Sequence, residues 1–207
     1  MIPKIKLTNL EAKIFNVFAK KFDWNMSILE LSKNIGEYYP NTYQAIKNLE
    51  KKGLLQLKEI GSSNICSLNL ETIELPMYLA FVEEQSAKQL IIKFPFLNRI
   101  IKEAKRISPV ICFGMFGSQI SGITNKKSDI DLFILTEASK IKDFKDFISK
   151  YFPELDNKID LTIISFDEFI ESLNKKSQFT VSLEINKNKL IFYGAEIYYQ
   201  IIQETLK

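Results

Sequence analysis

The sequence predicts a two-domain protein of mixed α and β structure, an α/β (α+β) fold class, with helices and one hairpin in residues 1–75 and alternating strands and helices in residues 76–207. Apolar residues recur at helical spacing in the first part, and two short apolar runs then flank a Gly-Ser-Ser-Asn turn. Beyond Pro109, short apolar runs alternate with amphipathic segments. Hydrophobic residues make up 46% of the chain, enough to bury a core.

The first helix is predicted over residues 7–22, where the apolar residues fall on one helical face. Thr8 is placed as its N-cap, and Glu11 follows at the spacing of a capping box. A second, shorter helix is predicted to begin after Ser27 as cap. Gly36 ends it, because glycine readily adopts the left-handed conformation of a C-terminal cap.

A turn is predicted over residues 37–40, followed by a third helix that begins near residue 41 and ends at Lys51-Lys52-Gly53. Two strands, at residues 54–60 and 65–70, then form a hairpin. Three short helices followed by a hairpin resemble a winged helix-turn-helix domain.

The resemblance implies that the third helix reads DNA with exposed side chains. The candidate DNA-binding residues are Asn41, Thr42, Gln44 and Lys47. Winged helices also serve as dimerisation or protein-docking modules. This second interpretation stays open. Residues 1–75 contain ten basic and eight acidic residues, so their nearly balanced charge gives little attraction for DNA phosphates.

Residues 76–207 are predicted to open with a connector helix over residues 77–107, which Pro95 kinks or divides. Short strands and a closing helix follow. The strands are predicted at Val110–Met115, Ile130–Leu135, Lys158–Ser165 and Lys189–Phe192, and the closing helix at Ala195–Leu206.

A glycine turn, Gly117-Ser118-Gln119-Ile120-Ser121-Gly122, follows the first of these strands. A Gly-Ser pair at a strand end leaves backbone N–H groups open to a phosphate. Taken alone, this pattern indicates no more than an ordinary turn.

Three aspartates give the turn its significance. Asp129 and Asp131 are two residues apart at the start of a strand, so both carboxylates can reach one site. They repel each other unless a cation intervenes, and magnesium suits oxygen ligands of this kind. Asp160 lies within the next apolar strand, where a carboxylate faces a metal, solvent or a salt-bridge partner.

The motifs GSQISG, SDIDL and IDLTII together resemble the nucleotidyltransferase superfamily of DNA polymerase beta, and within it the minimal, antitoxin-type branch. The resemblance covers residues 110–164 and implies a short mixed sheet flanked by helices. It assigns Asp129, Asp131 and Asp160 to catalysis and metal binding. It assigns the triphosphate to Gly117 and Ser118, and Gln119 and Lys127 are further nucleotide-binding candidates.

One departure concerns the turn, since the family commonly has Ala-Arg where this chain has Ile120-Ser121. Lys126 or Lys127 is expected to replace the missing cation. The resemblance implies transfer of a nucleoside monophosphate from a nucleoside triphosphate to an acceptor hydroxyl, with Mg²⁺ or Mn²⁺ as the cation. ATP is the expected triphosphate.

The acceptor is expected on a small helical toxin-like partner protein or on a small molecule of the aminoglycoside kind. The alternative is a DNA-binding transcriptional regulator that only senses nucleotide.

Composition limits the remaining chemistry. The chain has no histidine, which excludes histidine-based catalysis, and its net charge is +3. Cys66 and Cys112 lie apart in apolar stretches and are expected to be reduced and buried. No signal core and no membrane-length apolar run is present, so a cytoplasmic location is expected.

Overall fold

A computed structural model of the chain describes residues 5–20, 25–121, 129–151, 159–174 and 180–206. These residues form helices around two small sheets, so the predicted mixed fold class is confirmed. Within the described residues, no helix is long and apolar enough to cross a membrane.

The first sheet belongs to a winged helix, as the sequence predicts. Its strands lie in the order β1-β3-β2, all antiparallel, and buried side chains of three helices share one apolar core with them. The elements are α1 Asn9–Lys20, β1 Met26–Ser27, α2 Ile28–Ile35, α3 Tyr39–Lys51, β2 Leu55–Ile60 and β3 Ser63–Leu68.

Local interactions set the ends of the first helices. The Thr8 N–H donates to Glu11 Oε2 at 2.7 Å, and the Glu11 N–H donates to Thr8 Oγ1 at 3.2 Å, which confirms the capping box. The Ser27 hydroxyl accepts from the Glu30 N–H, and Gly36 ends α2 with φ of 66°. Both caps were predicted.

The predicted turn over residues 37–40 is wrong, because α3 already begins at Tyr39. Pro40 sits in the first turn of this helix, where its fixed φ is compatible with helix and its missing N–H costs nothing. The sequence pattern alone favoured a turn at this proline. The strand β1 was not predicted.

The second sheet is four-stranded and mixed, in the order β6-β5-β4-β7. Only the β5–β6 pair is parallel. Pro95 separates α4 from α5, as predicted. The elements are α4 Leu75–Lys93, α5 Phe96–Ile107, β4 Cys112–Phe116, α6 Ser118–Ser121, β5 Ile130–Thr136, α7 Ile141–Tyr151, β6 Ile159–Ser165, α8 Phe166–Asn174, α9 Val181–Lys187, β7 Lys189–Tyr193 and α10 Ala195–Leu206.

The two faces of this second sheet belong to different apolar clusters. Phe133 and Leu135 of β5 join a cluster that continues into the winged helix, whereas Leu132 and Ile134 join one with α5 and α7. Apolar packing is therefore continuous across residue 75, and the division into domains 1–75 and 76–207 stays a prediction.

A buried polar junction ties α1 to the second sheet. Lys189 Nζ, on β7, donates to the Ala19 carbonyl near the end of α1 at 3.2 Å, and the Tyr199 hydroxyl lies 3.2 Å from the same oxygen. Glu83 of α4 accepts from the Ile191 N–H at 2.7 Å and from the Tyr199 hydroxyl at 2.8 Å. Burial raises the pKa of Glu83 and lowers the pKa of Lys189, while their opposite charges act against both shifts.

We expect Lys189→Met to lower the free energy of unfolding by about 3 kcal/mol at pH 7, since it leaves Glu83 without its nearby cation. The loss should shrink toward pH 5. The pKa of Glu83 is already raised by burial, and without Lys189 it rises further, so the carboxyl becomes neutral as the pH falls and the penalty disappears.

Urea denaturation at both pH values measures this effect. Lys187→Met is the control, because Lys187 is exposed on α9 and its replacement should change stability by less than about 0.5 kcal/mol. Equal losses in the two variants would contradict a stabilising role for the junction.

Candidate active site

The site begins at the turn that follows β4. Gly117 has φ of 75°, and its N–H donates to the Asn188 carbonyl at 3.2 Å, which fixes the turn beside the start of β7. The short helix α6 starts at the next residue, Ser118. A left-handed φ of this size favours glycine over any residue with a Cβ.

Gly117 also makes room for a carboxylate. A Cβ added at this position would collide with Oδ2 of Asp131, so the Asp131 side chain occupies the space that the glycine leaves free. The turn and the aspartate are therefore in direct contact, although they are fourteen positions apart in the sequence.

Asp131 and Asp160 are register partners on the parallel strands β5 and β6. Partners in adjacent strands lie roughly 5 Å apart and project from the same face, so the two carboxylates are neighbours. Asp131 is half-buried, and Asp160 is exposed. Asp129 precedes β5 and is also exposed.

Negative charge gathers around Asp131. Burial raises the pKa of this carboxyl, and the charges of Asp160, Glu184 and Asp129 raise it further, in that order. Glu184 lies on α9 and was missed by the sequence reasoning. No motif spacing connects it to the other acids, and only the fold brings α9 beside the sheet.

The donor set suits a divalent cation. No group of three or more acids, cysteines or histidines among the described residues is arranged to hold a metal ion. Magnesium does not need such a cage, since it is usually bound by one or two carboxylates together with waters and substrate phosphates. The adjacent Asp131 and Asp160 fit that pattern, and a cation would relieve the repulsion at Asp131.

The remaining nucleotide-binding candidates divide into two groups. Ser118 and Gln119 are half-buried at the start of α6, directly after Gly117. Lys126 and Lys127 lie outside the described residues. Ile120, which stands in the family's Ala-Arg position, packs its side chain against the apolar cluster of α5 and α7.

On the winged helix, the structure exposes part of the predicted DNA-reading face. Asn41 and Gln44 are exposed on α3. Gln44 donates to the Asn48 side chain at 3.3 Å, and Lys47 forms an ion pair with Glu50 at 2.8 Å. Side chains on this face are thus linked along the helix by a hydrogen bond and an ion pair.

The predicted exposure of Thr42 is wrong. This residue is fully buried, and its hydroxyl donates to the Tyr38 carbonyl at 3.1 Å. Thr42 lies on the same helical face as the core residues Ala45, Ile46 and Leu49. Its side chain therefore packs in the core and cannot contact DNA.

Comparison with known families gives one match. Residues 97–193 match the family model described as nucleotidyltransferase domain. No curated protein matches the chain.

Three solved structures resemble part of the chain. They are the adhesin competence repressor AdcR of Streptococcus pyogenes, the transcription regulator MepR of Staphylococcus aureus and the zinc-responsive regulator ZitR of Lactococcus lactis. AdcR is 18% identical over 45% of this chain and 68% of its own, with a TM-score of 0.37. MepR is 14% identical over 48% and 75%, with a score of 0.35. ZitR is 16% identical over 51% and 76%, with a score of 0.34.

We expect Gly117→Ala to reduce the rate of nucleotidyl transfer about a hundredfold or more, because the added Cβ displaces the Asp131 carboxylate. Gly36→Ala is the matched control, since Gly36 also has a left-handed φ but no atom within 4 Å of the added Cβ. Both variants should lose about 1 kcal/mol of stability to backbone strain. Activity assays and urea denaturation separate the two effects, and similar activity in both variants would show that the collision is unimportant.

Proposed function

We propose that this protein transfers a nucleoside monophosphate from ATP to an acceptor hydroxyl with magnesium. The match of residues 97–193 to the nucleotidyltransferase domain model supports a transferase of phosphorus-containing groups. The observation that carries the proposal is the contact between the Gly117 turn and Asp131, with Asp160 beside Asp131 on the next strand.

Each part of the site has a role in this reaction. The turn from Gly117 to Gln119 receives the triphosphate. Asp131 and Asp160, with Asp129 at the edge, hold magnesium and orient the reacting groups. The bound metal supplies charge neutralisation of the phosphates and activation of the acceptor hydroxyl. Positioning and electrostatic compensation then provide most of the rate acceleration.

The acceptor is proposed from the resemblance of the GSQISG, SDIDL and IDLTII motifs to antitoxin-type nucleotidyltransferases. It is a hydroxyl on a small helical toxin-like protein, and the reaction takes place in the cytoplasm. Lys127 supplies the phosphate-binding cation that is missing at Ser121. A small molecule of the aminoglycoside kind is the other acceptor to be assayed.

The transfer is tested with α-labelled ATP, magnesium and candidate acceptors. Asp131→Asn should lower label transfer roughly a hundredfold or more, because it removes a metal ligand and keeps the side-chain shape. Asp167→Asn is the control, because Asp167 is exposed at the start of α8 and should leave transfer unchanged.

A second readout does not depend on finding the acceptor. Magnesium with ATP should raise the Tm of the wild type, because ligands that bind only the folded state stabilise it. The same addition should leave Asp131→Asn unchanged. Label transfer or stabilisation that survives in Asp131→Asn would exclude this aspartate as a metal ligand.

A second function, DNA binding by the winged helix, has support from the exposed side chains of Asn41 and Gln44 on α3. Amide side chains at exposed positions of such a helix can form paired hydrogen bonds with adenine in the major groove. In this alternative the chain regulates transcription and its second domain senses nucleotide.

Selection from a random duplex library, followed by affinity measurement, tests DNA reading. Gln44→Ala should weaken binding to the selected sequence by about 1–3 kcal/mol and leave non-specific binding unchanged. Glu30→Ala serves as a control on the exposed face of α2. If no sequence is enriched by the wild type, α3 does not read bases.

A further inference from the structure

Positive charge is concentrated in one segment of the chain. Residues 85–110 contain six lysines and arginines and a single acid, Glu103, whereas the whole chain has a net charge of only +3. The rest of the protein is therefore slightly acidic. Both arginines of the chain, Arg99 and Arg106, lie in this segment.

The fold places most of this charge on one face of α5. Leu97, Ile100 and Ala104 form the buried side of the helix. The exposed side carries Arg99, Lys102, Lys105 and Arg106. Residues 99, 102 and 106 follow one another at spacings of three and four positions, so they form one stripe along a helix that is about 18 Å long.

Local contacts orient two of these cations and keep them at the surface. Lys105 Nζ lies 4.0 Å from the centre of the Tyr193 ring, and Arg106 forms an ion pair with Glu103 at 2.7 Å. The Arg106 side chain remains 68% exposed. The ring contact does not neutralise Lys105, so the face keeps an excess of positive charge.

An ordinary solvated helix face mixes both signs of charge, as α7 does with Lys142, Asp143, Lys145 and Asp146. On α5, by contrast, Lys102 has like-charged neighbours three or four residues away on either side, at Arg99, Lys105 and Arg106. Such pairs destabilise a helix. A polyanion bound to this face would remove that repulsion.

We propose that the exposed face of α5 binds the phosphodiester backbone of a nucleic acid. Guanidinium and ammonium groups suit phosphate oxygens, and backbone contacts position a protein without reading sequence. The site is distinct from α3 and does not depend on the transfer reaction. The winged helix has a nearly balanced charge and attracts phosphates weakly, whereas this face of α5 has an excess of positive charge.

The test compares two double variants that each remove two cations, one of them from an i,i+3 ion pair. Lys102→Gln/Arg106→Gln alters the α5 face, and Lys140→Gln/Lys142→Gln alters the region of α7, where Lys140 pairs with Asp143. Affinity for a duplex DNA and for an RNA hairpin of unselected sequence is measured across a range of salt concentrations. Circular dichroism and Tm show that both variants fold.

The wild type should bind the duplex DNA, the RNA hairpin or both. The one that is bound with the higher affinity indicates which class of nucleic acid this face of α5 prefers. The α5 variant should lose about tenfold or more in affinity at about 0.1 M salt. The slope of the logarithm of the association constant against the logarithm of the salt concentration is negative, and its magnitude should decrease by about 2. The α7 variant should keep the wild-type slope.

If the two variants lost the same affinity, the loss would be due to the lower net charge and not to the α5 face, and the proposal would be overturned. Absence of binding by the wild type to both nucleic acids would overturn it as well. Binding of polyglutamate in the absence of nucleic-acid binding would assign the face to an acidic protein instead.

Discussion

The structure depends on the start of β7, where two consecutive residues hold different parts of the molecule together. The Asn188 carbonyl accepts a hydrogen bond from the Gly117 N–H, which fixes the turn of the candidate active site. The next residue, Lys189, is buried and donates to the Ala19 carbonyl near the end of α1. A lysine so far from water is tolerated because Glu83 provides the opposite charge and the Ala19 carbonyl accepts a hydrogen bond from its ammonium group. The winged helix and the Gly117 turn are thereby attached to the start of one strand.

Charge repulsion in the candidate active site opposes stability. Gly117 has a backbone conformation that other residues rarely adopt, and Asp131 fills the space beside it. The charges of Asp160, Glu184 and Asp129 all raise the pKa of the Asp131 carboxyl. Pairing with the buried strand β4 and register with β6 keep these carboxylates together despite their repulsion. Such repulsion between carboxylates is typical of sites that bind a cation.

Much of the fold follows from local sequence. The Thr8–Glu11 capping box, the Ser27 cap, the Gly36 stop and the break at Pro95 each depend on residues within a few positions of one another. These features were predicted because short-range hydrogen bonds and fixed backbone angles decide them. Pro40 was misassigned, since proline suits both a turn and the first turn of a helix.

The sequence by itself determined that the chain carries a nucleotidyltransferase-like segment, and two aspartates two residues apart after a glycine turn predict where its site lies. Only the tertiary structure decided which groups meet there. It placed the Asp131 carboxylate against Gly117, paired it with Asp160 and added Glu184 from a distant helix. It also buried Thr42 and Lys189, whose polar side chains suggest exposure. Burial and long-range electrostatic interactions arise from packing between helices and strands. They could not be predicted from the local sequence pattern, because that pattern does not specify which elements pack together.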